Sequence, residues 1–125
     1  MKLFDLKKYG NTYKIKLEVS SYVVGDLAIA MVSWNDGEPS LWNVLTVNLN
    51  SLPSKNCAYI DVNNNGEEIL AWIKRNKLAV PTGRCAKSGF CRYPEYRFHP
   101  KVLQEIDPEG YAEYLRYWEE VYGED

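Results

Sequence analysis

Histidine occurs once in these 125 residues and cysteine three times. The side chains that most often hold metals or act as nucleophiles are therefore scarce. An odd cysteine count argues against a secreted disulfide scaffold, so the thiols read as reduced and the location as cytoplasmic. No apolar run approaches a membrane span, and the longest, Leu27 to Val32, is strand-sized. The opening MKLFDLKKYG lacks the apolar stretch of a secretory leader. Net charge is only −2, which excludes a general polyanion binder. Internal repeats and low-complexity linkers are missing too, so one domain is expected over 1–125. No stretch spells out a catalytic signature.

Apolar residues make up 46% of the chain, with ten Tyr and four Trp. That is enough for one sizeable core. Residues 2–9 and 12–19 read as strands around a turn at Gly10-Asn11. Leu6, Tyr13, Ile15, Leu17 and Val19 alternate with Lys14, Lys16 and Glu18. Gly25-Asp26 marks a second turn. Leu27–Trp34 is apolar on both faces and reads as a central strand. Asn35 to Pro39 is a turn, Leu41–Asn48 a fourth strand and Cys57–Val62 a fifth. Strands joined by turns predict an antiparallel meander over residues 1–62.

A central helix is expected over residues 66–77. Asn63, Asn64 or Asn65 is the candidate cap, Glu67 and Glu68 favour the N-terminal end, and Lys74, Arg75 and Lys77 the C-terminal end. Residues 81–100 read as a basic loop, Arg84 to Arg92, followed by an extended segment, Tyr93–Phe98. A short helix fits 101–106. Asp107-Pro108 opens a last, acidic helix over 108–122. Tyr111, Tyr114, Leu115, Trp118, Val121 and Tyr122 form its apolar stripe, and Trp72 and Trp118 are the expected buried anchors of the two main helices. The fold class is α+β: about five antiparallel strands, one central helix and one or two C-terminal helices.

Cys57, Cys85, Cys91 and His99 are the candidate metal ligands. The spacing Cys-x5-Cys-x7-His misses the close pairs of structural zinc sites, so no metal and no cofactor are expected. A Cys91/His99 nucleophilic pair is the enzyme reading. Eight residues of extended chain separate the two, and only a sharp reversal would bring them together. Gly83 to Gly89 contains a Lys and a Ser but not in the order of a nucleotide loop.

Several pieces resemble an uncharacterised family of small proteins carried on conjugative elements and phages of gut bacteria. They are Thr46-Val47-Asn48-Leu49, Asp61-Val62-Asn63-Asn64, Pro81-Thr82-Gly83 and Ser88 to Phe98, read Gly-Phe-Cys-x-Tyr-Pro-x-Tyr-x-Phe from Gly89. The resemblance runs from Met1 to about Leu103, with the acidic helix extending beyond it. It implies an α+β domain and a mobile-element origin, and it transfers no catalytic residues.

Charge is distributed in blocks. Residues 74–101 carry eight basic groups against Glu95 alone, a net +7, and residues 102–125 carry eight acidic groups against Arg116 alone, a net −7. One reading pairs the blocks with each other. A second uses Glu109, Glu113, Glu119 and Glu120 to bind a cationic groove on a host protein. For a mobile-element protein that partner is expected to be a nucleic-acid-directed defence enzyme such as a CRISPR effector nuclease. A third uses Arg84, Lys87, Arg92 and Arg97, interleaved with Phe90, Tyr93 and Tyr96, to bind single-stranded nucleic acid. The non-catalytic host-protein binder is the leading expectation, the nucleic-acid binder the alternative, and a small cysteine enzyme or zinc protein comes third.

Overall fold

A computed structural model describes residues 1–123. The chain begins with β1 (Phe4–Lys8), β2 (Asn11–Ser21), β3 (Leu27–Ser33) and β4 (Ser40–Val44), an antiparallel meander in that order. Register pairs Lys8 with Asn11, so the first turn centres on Tyr9 and Gly10, both at positive φ (53° and 76°). This is the geometry of the primed two-residue hairpin turns. Ile15, Leu17 and Val19 of β2 point into the core as the alternation predicts, and β3 lies inside the sheet, between β2 and β4.

The expected fourth strand is split between two sheets. After β4 the chain passes through Leu45 and enters β5 (Thr46–Val47), the edge of a second sheet. Leu45 is fully buried. Its N–H donates to Ile29 O at 2.9 Å, and its C=O accepts from Asp61 N at 2.9 Å. That sheet runs β5, β6 (Cys57–Ile60), β8 (Cys91–Phe98), β7 (Ala79–Ser88), all antiparallel. The α+β class stands, with eight strands in two sheets where the sequence suggests about five.

The extended segment expected at Tyr93–Phe98 is in β8, and the segment read as a basic loop, residues 84–92, is strand as well. It is a hairpin, with Gly89 at φ 60° and Phe90 at its two-residue tip. Pro81 and Gly83 look like strand breakers. However, β7 is an edge strand, where a missing N–H is tolerated, and Gly83 sits at φ 90° in an irregularity between Pro81 and Cys85. Pro94 lies one residue past the last β6–β8 pair.

Helices α1 (Val62–Asn65), α2 (Glu68–Arg75), α3 (Pro100–Ile106) and α4 (Pro108–Tyr122) complete the fold. The asparagines do not cap the central helix α2. They are themselves helical, in α1, which Asp61 caps by accepting from Asn64 N. Ile69, Trp72 and Ile73 of α2 are buried, and the Trp72 indole donates to Asp5 O at 2.7 Å. One main core joins both sheets to α2, α3 and α4. A smaller cluster, Tyr59, Ala86 and Tyr93, covers the other face of the second sheet.

Candidate functional site

Two surfaces carry the charge blocks, and each is built by identifiable local chemistry. The first is α4. Asp107 caps it, accepting from Gly110 N at 3.0 Å, and also accepts from Val19 N at 2.9 Å, which ties the helix to β2. Tyr111 and Tyr114 are buried and converge on Asn56. Tyr111 donates to Asn56 Oδ1 at 3.0 Å, and Tyr114 accepts from Asn56 N at 2.9 Å. Burial pushes the Tyr114 phenol up to about 12, against the lowering effect of that hydrogen bond.

Further along, the apolar stripe leaves the core. Trp118 is only partly buried, a correction to its role as a buried anchor, and Val121 and Tyr122 are exposed. Tyr122 packs against Trp118 with the rings tilted at 49° and 4.5 Å between centroids. The Tyr117 and Tyr122 hydroxyls donate to the carbonyls of Val23 and Val24 in the β2–β3 turn, residues that are 88% and 49% exposed. The result is an uncovered apolar surface shared by the turn and the last helical turns.

Glu109, Glu113 and Glu120 fall in one stripe on the outer side of α4, with Arg116 among them, 3.9 Å from Glu113. Glu119 sits about a quarter turn away, adjoining Leu115 and Tyr122. Glu124 and Asp125 lie outside the described residues. Among the described residues no ion pair joins 74–101 to 102–123.

The second surface is the β7–β8 hairpin, where the structure separates the residues the sequence groups together. Tyr96 is buried in the main core and Tyr93 in the smaller cluster, and burial raises both phenols. Only Phe90 is left as an exposed aromatic. Lys87 and Arg92 pair in register on one face, while Arg97 sits on the other, opposite Cys57. Arg84 is held by Glu95: Nε to Oε1 at 3.0 Å and Nη2 to Oε2 at 2.7 Å.

Glu95 is the residue that sequence reasoning missed. It is 1% exposed inside the basic segment. Burial alone would raise its carboxyl, but hydrogen bonds from Arg84 and Thr82, Arg84's charge and the Ser54 amide together hold it below its ordinary value. The signal was present in the sequence, since one acid among eight bases must meet some of them.

Cys57 is buried, and burial raises its thiol. Register sets Cys85 against Pro94 and Cys91 against Ser88, so the two thiols lie on opposite faces of the hairpin. His99 is exposed, at the start of α3. Among the described residues no three His, Cys, Asp or Glu side chains cluster as metal ligands would, and no helix is long and apolar enough to cross a membrane.

The profile of one family, described as a domain of unknown function (DUF4313), matches residues 16–118. The chain belongs to that family. The match extends through Trp118, so most of α4 is part of the family pattern, where the resemblance read from the sequence stops near Leu103. No curated protein and no solved structure matches the chain.

Proposed function

We propose that the protein is a non-catalytic accessory protein of a phage or conjugative element that binds a host protein through the outer half of α4. The observation that carries this reading is the uncovered apolar surface of Val23, Val24, Val121 and Tyr122 next to Glu119 and Glu120. Exposed apolar patches with polar rims mark interaction sites, and aromatic anchors dominate their energetics. Glu119 and Glu120, which make no ion pair among the described residues, steer such a surface towards a cationic groove. A nucleic-acid-directed defence enzyme, such as a CRISPR effector nuclease, has a groove of that kind, and occupying it would inhibit the enzyme. The mobile-element origin rests on the sequence resemblance, above all Gly89 to Phe98.

The test compares three chains against host lysate and against a purified RNA-guided nuclease. They are the wild type, Glu113→Gln/Glu119→Gln/Glu120→Gln, and Val121→Ser/Tyr122→Ala. A partner held by wild type should associate more slowly with the charge variant and dissociate faster from the apolar one. A partner bound equally by all three sinks the surface. Uninhibited cleavage by the nuclease at saturating wild-type protein removes the defence-enzyme assignment.

A further inference from the structure

A groove of about 410 Å³ lies on the face of the second sheet that carries Arg97, lined by Lys55, Cys57, Arg84, Arg97 and the hydroxyl residues Ser54 and Thr82, with Glu95 at its base. Three cations face one carboxylate. That carboxylate is already satisfied: Arg84 takes both oxygens, Thr82 Oγ1 donates to Oε1 at 2.6 Å and Ser54 N to Oε2 at 3.4 Å. Lys55 and Arg97 make no ion pair or side-chain hydrogen bond among the described residues.

The groove is also rigidly supported. The irregularity at 81–85, opened by Gly83, turns Arg84 back over β8, and Glu95 then locks its guanidinium. Arg84 Nη2 also donates to Ser54 Oγ at 3.2 Å, while Nη1 makes no hydrogen bond to Glu95 or Ser54 and is left for a ligand. Lys55 precedes Asn56, which is held at φ 64° by Tyr111 and Tyr114. A buried carboxylate that fixes an arginine fork beside two unpaired cations and a serine hydroxyl is an arrangement suited to an anion with several acceptor oxygens.

We infer that the Lys55–Arg84–Arg97 groove binds a phosphoryl group, with Glu95 as the residue that positions Arg84. A free phosphate, a terminal 5′-phosphate and the phosphodiester of a single strand all present this chemistry. The inference is independent of the α4 surface, and the Glu113/Glu119/Glu120 variant should bind phosphate as wild type does.

Backbone amide NMR titration with inorganic phosphate tests it. Saturable shifts are expected at residues 54–57 and at Arg84. Lys55→Gln and Arg97→Gln, both on exposed side chains, should each weaken binding about tenfold, the loss of one charge-assisted contact. Shifts that never saturate, or that both variants leave unchanged, overturn the site. Titration with a short thymidine oligonucleotide, with and without a 5′-phosphate, then separates the sources: equal binding assigns a phosphodiester, binding only of the phosphorylated form a terminal phosphate, and binding of neither a small free anion. Glu95→Gln separates positioning from net charge. It removes a negative charge, so charge alone would tighten binding, whereas a released Arg84 fork should weaken it. Tighter binding by a variant that keeps the wild-type fold in the amide spectrum overturns the role given to Glu95.

Discussion

Trp72 and Trp118 look equivalent in the sequence, each on the apolar stripe of a helix, but they differ in what lies over them. Trp72 is 2% exposed, edge-on to Phe4 and hydrogen-bonded to β1, whereas Trp118 has core on one side only. Trp72→Ala should cost about 3–5 kcal/mol, the range for deleting a buried large aromatic. Trp118→Ala should cost less than half of that, read from urea midpoints at constant slope. Asp26 is the other residue with a distinctive energetic signature. It is 1% exposed, and its Oδ1 has no hydrogen-bond partner among the described residues. Burial raises its carboxyl above the ordinary value, so folding favours the protonated form. Stability from this group is complete below the unfolded carboxyl range and is lost as pH rises through the raised folded value. Asp26→Asn should therefore gain on wild type as pH rises from 3 to 7, and a pH-independent gap between the two would show that Asp26 does not titrate in this way.

At the level of elements, α4 was the most legible. Its Asp-Pro start and Gly123 end bound it on both sides, and the structure reproduces residues 108–122. The first three strands were legible because the alternation in β2, the apolar run of β3 and the turn residues between strands agree. The β7–β8 hairpin was not. Pro81, Gly83 and Gly89 read locally as breaks, and only the edge position of β7 makes the first two tolerable; of the hairpin, only Tyr93–Phe98 read as extended. The candidate site divided in the same way: a helical face can be read from spacing, but a hairpin's two faces depend on register, which sequence alone left open. Helix docking gives a sharp test. A Cβ on Gly110 would lie 2.2 Å from Val19 O, a backbone atom that cannot swing away. Gly110→Ala should destabilise the protein although alanine favours helices, by at least the loss of about 1 kcal/mol seen on removing a cap. A neutral or stabilised variant would mean that α4 does not sit this close to β2.

For the whole molecule, near-neutral net charge conceals two surfaces of opposite sign, with no ion pair between them among the described residues. The acidic one is the outer side of α4; the basic one is divided between the hairpin tip and the groove at Arg97. The three thiols are dispersed among a buried strand and the two hairpin faces. Elemental analysis of purified protein should find no stoichiometric zinc, and Cys85→Ser/Cys91→Ser should keep wild-type partner binding. One zinc per chain that disappears in this variant would reinstate a metal role for the hairpin.

Asn56 is fixed by two tyrosines 55 and 58 residues further on. On the ribosome, the groups that set this turn are therefore made well after the turn itself. A nascent chain stopped at residue 107 has both sheets in hand but leaves the Asn56 amide and side chain without their phenolic partners. The groove at Lys55 can reach its final shape only after α4 has been released, so the second sheet and that surface are completed in separate steps.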